Sequence, residues 1–109
     1  MEIKLELIRP DDVCVNIGKL VRLARQREEF TQVELSKRSG VAATTISRME
    51  RDGQVGLEAV ARVLFALDQL DALDVFLKER IRLAGIPKHL TEEPTFRKII
   101  RVRHRKGKE

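Results

Sequence analysis

The segment from Phe30 to Glu50 carries the start and stop signals of two short helices in immediate succession. Thr31 offers a hydroxyl that can cap the first helix, and Glu34 stands three residues later, which is the spacing of a reciprocal capping box. Gly40 then supplies the residue type that ends a helix in the left-handed conformation without a Cβ clash. This pattern predicts a pair of short helices joined by a tight turn.

The second helix of this pair is predicted to have two different faces. Ile46 and Met49 are three residues apart, so they should face inward together with Val41. The opposite side is made of short or hydrogen-bonding side chains, which suit a helix that lies in a groove. These outward residues are Ala43, Thr44, Ser47 and Arg48.

The remaining apolar residues predict three further helices and an all-α fold. Charged residues make up 36% of the chain, and four Phe with no Trp or Tyr leave little material for a sheet-rich fold. Helical spacing recurs between residues 12 and 84, where we expect five helices in total. The stripes of the first, fourth and fifth helices are Ile17, Leu20, Val21 and Ala24; Leu57, Val60, Ala61, Leu64 and Leu67; and Leu70, Leu73, Leu77, Ile81 and Ala84.

Composition and motifs argue against several classes of protein. Cys14 is the single cysteine and the two histidines are far apart, which excludes an internal disulfide and zinc-finger spacing. We find no glycine-rich phosphate loop, no paired His and Cys, and no carboxylate cluster with metal spacing, so we expect neither an enzyme nor a cofactor. No apolar run has the length of a signal peptide or a membrane span, which favours a cytoplasmic protein without a membrane partner.

From Ile17 to about Leu67 the order of features resembles the lambda-repressor-like helix-turn-helix family, the Cro/CI or XRE type of bacterial and phage regulators. The resemblance covers roughly half the chain. No single position carries it, whereas the combination in register is specific. The positions are Gly18, Val21, Arg22, Arg25, Thr31, Gln32, Glu34, Leu35, Gly40, Val41, Ile46, Ser47, Glu50 and Arg51.

The resemblance implies which side chains face double-stranded DNA. Ala43, Thr44, Ser47 and Arg48 match the positions where the family reads bases. Arg48 can donate two parallel hydrogen bonds to guanine, worth roughly 1 to 3 kcal/mol of discrimination, although a phosphate contact or a solvated charge is the alternative. Gln32 should face a phosphate or the neighbouring base edge; the alternative is a polar first-turn residue without a ligand.

The same alignment with the family pattern implies supporting roles for other charged residues. Lys37, Arg38 and Arg51 are candidates for phosphate contacts, and each could equally be a solvated charge. Arg25 and Glu50 fall where the family often pairs the first helix with the end of the third, which we interpret as a structural pair.

Three positions depart from the family pattern. Ser36 stands where the family prefers alanine, and Ala42 lacks the hydroxyl that usually caps the third helix. Asp52 lies in a closing turn that is longer than usual, and its charge repels phosphate.

The resemblance makes the third helix the recognition helix, the helix that enters the DNA groove. One such helix reads only a few base pairs, too few to specify a site among many competing sequences. We therefore expect a homodimer on an inverted repeat with half-sites about 34 Å apart. The apolar stripe of the fifth helix either forms the dimer interface or closes the monomer core. The N-terminal strand could also pair with its symmetry mate or with residues 96 to 104. The candidate interface residues are Leu73, Phe76, Leu77 and Ile81.

The predicted organisation is an N-terminal arm (1–11), a helix-turn-helix DNA-binding domain (12–84) and a basic C-terminal extension (85–109). Ile3, Leu5 and Leu7 alternate with charged residues, which favours a short strand or extended arm. Residues 85 to 109 hold eight basic and three acidic side chains, and the segment after Pro94 fits strand, frayed helix or tail. This extension is a solvated tail, a DNA contact, or a docking segment for a protein through Phe96, Ile99, Ile100 and Val102.

Two functions fit these features. The first is a sequence-specific transcriptional regulator, most often a repressor. The second is the antitoxin of a toxin-antitoxin pair, in which the same helix-turn-helix autoregulates and an arm or tail binds a toxin protein.

Overall fold

A computed structural model describes residues 7–90, and in this range five α-helices follow one another without a strand. They are α1 (Pro10–Arg27), α2 (Gln32–Ser39), α3 (Ala43–Asp52), α4 (Leu57–Ala66) and α5 (Leu70–Ala84), followed by a 3-10 turn at Lys88–Leu90. The all-α, five-helix expectation is confirmed. The predicted N-terminal strand falls largely, and the segment after Pro94 entirely, outside the described residues.

The first helix begins at Pro10, so the acidic residues Asp11 and Asp12 lie inside its first turn and do not precede it as caps. Proline is favoured at a first helical position because its φ is preset and its missing N–H would have no intrahelical partner there. Asp12 instead accepts a hydrogen bond from the backbone N–H of Arg9 at 2.9 Å, so it secures the first turn from inside the helix.

The signals around α2 are confirmed in detail. The backbone N–H of Glu34 donates to the Thr31 hydroxyl at 3.0 Å, while the Glu34 carboxylate accepts from the backbone N–H of Thr31 at 2.7 Å. Gly40 ends the helix with φ 75°, where a side chain would be strained. The two short helices and their tight turn therefore form as the sequence predicted.

The core lies beneath α3 and is built entirely of aliphatic side chains and Met49. α1 packs chiefly on α3, and α2 packs on both α3 and α4. Leu57, predicted to face the core, is 78% exposed because it is the first residue of α4 and lies beyond the packed turns, whereas Val63 is fully buried. The buried apolar residues are Val21, Ala24, Leu35, Val41, Ile46, Met49, Val60, Val63, Leu64 and Leu67.

Two glycines permit a close approach to α1. A Cβ on Gly18 would lie 2.5 Å from the carbonyl oxygen of Met49, which is too close for any side chain. Gly53 ends α3 with φ 71°, and a Cβ there would overlap the backbone of Cys14. The C-terminal end of α3 is thereby held against α1, and the orientation of its outer face is determined.

The chain divides into two compact units with the boundary between Leu73 and Asp74, inside α5. In the first unit, Leu70 and Leu73 pack against the core. In the second, charged residues of α5 form intrahelical ion pairs, Lys78 with Asp74 at 3.1 Å and Arg82 with Glu79 at 2.7 Å. None of the described helices is both long and apolar enough to cross a membrane.

Candidate nucleic-acid interface

α3 separates its buried and exposed residues sharply. Ile46 and Met49 are fully buried, and Val41, just before the helix, is nearly so. Thr44, Ser47 and Arg48 are exposed on the opposite side, and Ala43 is half-buried at the first turn. An α-helix with small and hydrogen-bonding side chains on its free face has the width and chemistry to enter a DNA major groove.

The N-termini of α2 and α3 present backbone N–H groups on the surface. Thr31 caps α2 through the N–H of Glu34, and the N–H groups of Gln32 and Val33 have no hydrogen-bond acceptor within the described range. Ala42 provides no side-chain cap for α3. These donors, with the positive end of each helix dipole, suit the oxygens of a phosphate backbone.

Arg25 and Glu50 form a nearly buried ion pair between α1 and α3. Arg25 Nε donates to Glu50 Oε2 at 2.7 Å and Nη2 donates to Oε1 at 3.1 Å; the two side chains are 14% and 6% exposed. These hydrogen bonds raise the pKa of Arg25 above its ordinary value, although burial acts in the opposite direction. The same guanidinium donates through Nη1 to the carbonyl oxygen of Phe30 at 2.7 Å, so it also holds the turn before α2.

Gln32 makes one side-chain contact within the protein. It is half-buried, and its Nε2 donates to Glu50 Oε1 at 3.1 Å. One of its two N–H bonds is therefore used within the protein. No local pattern indicates this contact because the two residues are far apart in the chain, although the predicted Arg25–Glu50 pair involves the same carboxylate.

The remaining predicted cations differ in how freely they can reach DNA. Arg48 and Lys37 are exposed, and no ion pair engages either one among residues 7–90. Arg51 has a side chain that is 67% exposed and lies 3.5 Å from the carboxylate of Asp52. Arg38 lies over the ring of Phe30 at 4.3 Å, a cation–π contact that sequence reasoning missed and that competes with a phosphate contact.

Two of the departures from the family pattern have simple structural outcomes. Ser36 is half-buried within α2. Asp52 is half-buried, and its Oδ1 accepts from the backbone N–H of Gln54 at 3.0 Å, which orders the turn after α3. With Arg51 beside it, this carboxylate is partly neutralised.

The candidate interface residues on α5 divide into two groups. Leu73 is half-buried and packs against the core, in accord with the alternative that the stripe closes the monomer. Phe76, Leu77 and Ile81 are 57%, 45% and 69% exposed. The stripe thus serves the core only at its beginning and continues as an exposed apolar surface.

Comparison with known proteins supports the assignment that these features suggest. The helix-turn-helix family model of the Cro/CI, XRE type matches residues 21–68, which run from the last third of α1 to just past the end of α4. A search of curated proteins finds no match. In residues 21–68 the chain carries a helix-turn-helix domain of the lambda-repressor-like family of DNA-binding regulators.

Proposed function

We propose that the chain is a sequence-specific transcriptional regulator that binds double-stranded DNA in the cytoplasm as a homodimer and represses transcription from an inverted-repeat operator. The observation that carries this proposal is the division of α3 into a fully buried side and an exposed side. Ile46 and Met49 hold the helix in place, and Thr44, Ser47 and Arg48 are left free to reach base edges.

Arg48 is the residue that we assign the largest share of base discrimination. Its guanidinium is exposed and has no intramolecular ion pair within the described range, so it can donate two parallel hydrogen bonds to guanine O6 and N7. Thr44 and Ser47 offer hydroxyl groups, and the Thr44 methyl can contact a thymine methyl. Ala43, half-buried at the first turn, allows the helix to approach the bases closely.

Affinity for the DNA phosphates is proposed to come from a small number of backbone N–H groups and basic side chains. The N–H groups of Gln32 and Val33 lie at the exposed N-terminus of α2, while Lys37 and Arg51 add positive side chains. Arg38 is the weakest candidate of this set because its guanidinium already lies over Phe30. The basic extension of residues 85–109 is proposed to add salt-dependent affinity without sequence information.

A homodimer is proposed because one α3 can read too few base pairs for a specific site. Exposed Phe76, Leu77 and Ile81 give α5 an apolar surface that a second copy can cover. The intrahelical pairs Asp74–Lys78 and Glu79–Arg82 neutralise most charge on this part of the helix, which reduces repulsion between identical surfaces. Two recognition helices related by twofold symmetry require half-sites about one turn of DNA apart.

The test is selection from a pool of random duplexes with the full chain, followed by footprinting of the selected sequence. The proposal predicts an approximate inverted repeat with half-site centres about 10 base pairs apart. Arg48→Ala and Thr44→Ala should relax selection at defined positions, whereas Arg62→Ala on α4 should not. Failure to enrich any sequence, or equal behaviour of all three variants, contradicts the proposal.

An antitoxin role is the second candidate, and the exposed apolar surface of α5 is the observation that favours it. A toxin protein could cover Phe76, Leu77 and Ile81 in place of a second copy, with the same helix-turn-helix providing autoregulation. Co-expression with a small neighbouring reading frame distinguishes the two. A stable complex that suppresses that protein's toxicity supports the antitoxin role, and its absence supports the regulator alone.

A further inference from the structure

Glu50 receives hydrogen bonds from two different helices. Its carboxylate accepts from Nε and Nη2 of Arg25 on α1 and from Nε2 of Gln32 on α2, at 2.7, 3.1 and 3.1 Å. Glu50 itself belongs to α3, and its side chain is 6% exposed. One carboxylate therefore joins the three helices that carry the candidate DNA-binding surface.

This contact permits only one orientation of the Gln32 amide. An ionised carboxylate accepts hydrogen bonds and cannot donate them, so the amide must turn its NH₂ group and not its carbonyl oxygen toward Glu50. The second N–H bond and the carbonyl oxygen of Gln32 then point elsewhere. Arg25 donates to both oxygens of the same carboxylate, so Glu50 is the acceptor for both partners.

The orientation of the Gln32 amide matters for DNA binding because Gln32 lies at the exposed N-terminus of α2. Gln32 is the first residue of α2, directly after Thr31, and its own backbone N–H is among the unpaired donors at that helix end. Arg25 fixes the other side of Thr31 through the carbonyl oxygen of Phe30 at 2.7 Å. The helix end and the side chain that accompanies it are thus both held before any ligand arrives.

We propose that Glu50 is a positioning residue for DNA binding, because its carboxylate holds the Gln32 amide in a single orientation and presents the remaining N–H to the phosphate backbone. Glu50 does not touch DNA in this account and acts through Gln32. The inference rests on the proposed function. Its physical basis is preorganisation: a flexible glutamine that is ordered in the free protein loses less entropy on binding.

The experiment is a double-mutant cycle on affinity for the operator selected by the wild-type chain. Glu50→Gln retains the size of the side chain and an oxygen acceptor for Arg25, and Gln32→Ala removes the positioned group. We expect Glu50→Gln to weaken operator binding about three- to tenfold, the change that corresponds to immobilising one long side chain. In the Gln32→Ala background the same substitution should change binding less than twofold.

Glu58→Gln is the matched control, since Glu58 also binds an arginine, Arg62, but through an exposed pair on α4. It should leave operator affinity unchanged in both backgrounds. An equal loss from Glu50→Gln with and without Gln32 overturns the inference, because Glu50 would then act only on the fold. No loss in either background overturns it as well.

A second measurement decides the case if Glu50→Gln fails to fold. In the free wild-type protein, NMR should show the two side-chain amide protons of Gln32 to be strongly inequivalent, with slow exchange against water for the bonded one. Resonances typical of a free glutamine overturn the inference. If the wild-type chain selects no operator, the proposed function fails, and the NMR result still reports separately whether Glu50 orients Gln32.

Discussion

The junction of α1, α2 and α3 and the second half of α5 use similar interactions in opposite surroundings. Arg25–Glu50 and Arg82–Glu79 have the same shortest separation, 2.7 Å. The side chains of the first pair are 14% and 6% exposed, whereas those of the second are 60% and 53% exposed. Despite the equal distances, removing one partner should destabilise the protein more in the first pair than in the second. In the first pair it leaves an unpaired charge that water cannot reach.

The difference extends to apolar side chains. Around α3 the aliphatic residues are buried, and the backbone of α1 approaches closely at Gly18 and Gly53. On α5 beyond Leu73, Phe76 and Ile81 are largely exposed. In the proposed function, the first region carries the surface that reads DNA, and the second carries the exposed apolar surface that a second copy covers.

The largest expected effect comes from adding a Cβ atom where the end of α3 contacts the backbone of α1. Gly53→Ala would place a Cβ against the Cys14 backbone at a φ of 71°, so we expect a loss of about 4 kcal/mol in the free energy of unfolding. Urea denaturation followed by circular dichroism measures it. Gly56→Ala is the control, because nothing lies within 4 Å of its added Cβ. Similar stability of the two variants would contradict the close packing of α1 on α3.

The second prediction tests the two ion pairs directly. Glu50→Ala leaves Arg25 nearly buried without its partner, and we expect a destabilisation of about 3 kcal/mol. Glu79→Ala removes an exposed pair and should leave the denaturation midpoint unchanged within error. Equal shifts for both variants would show that burial does not distinguish the two regions.

A third prediction separates association from folding. Leu77→Glu and Ile81→Glu should shift the chain from dimer to monomer in sedimentation experiments while changing monomer stability by less than about 0.5 kcal/mol. Val75→Glu is the matched control, because Val75 is also exposed, at 68%, but lies on the opposite side of α5 by helical spacing. A dimer that tolerates both stripe substitutions would place the interface elsewhere.

A smaller gain in stability is expected at the end of α4. Asp68 has φ 61°, a left-handed conformation that costs less for glycine than for other residues. Asp68→Gly should therefore raise the free energy of unfolding by about 0.5 to 1 kcal/mol. Thermal and urea denaturation measure it, and a loss of stability would mean that the aspartate side chain makes a larger contribution than its backbone strain.

The smallest effect concerns pH. The hydrogen bond from Arg82 lowers the pKa of the exposed Glu79 carboxyl. A carboxyl whose pKa is lower in the folded state stabilises the fold at pH values above its unfolded-state pKa. This stabilisation is lost as the pH falls through the folded-state pKa. NMR titration should show the Glu79 pKa rising toward its ordinary value in Arg82→Ala. An unchanged pKa would contradict the pairing within α5.

Local signals predicted the parts of the fold that depend on neighbours in the chain. The Thr31–Glu34 capping box, the end of α2 at Gly40 and the inward side of α3 all follow from spacing of four residues or fewer. Local propensity disfavours a glycine such as Gly18 inside a helix, and no local pattern shows its purpose, because that purpose depends on the distant Met49 carbonyl.

Long-range contacts explain what the sequence could not supply. The bond from Gln32 to Glu50 joins two helices whose relative placement no local pattern contains. The stripe on α5 could be recognised from spacing, but the point where it leaves the core, after Leu73, depends on the size of the packed domain. Leu57 was assigned to the core for the same reason, since periodicity does not show where a helix begins to pack.

The free face of α3 is proposed to read base sequence, and the decisive measurement is the ratio of operator affinity to scrambled-duplex affinity for Arg48→Ala. We predict a drop of about tenfold in this ratio, the loss of one bidentate base contact, with little change in scrambled-duplex binding. Arg62→Ala should retain the wild-type ratio. An unchanged ratio in Arg48→Ala, or an equal loss of affinity for both duplexes, would contradict the assignment of α3 as the recognition helix.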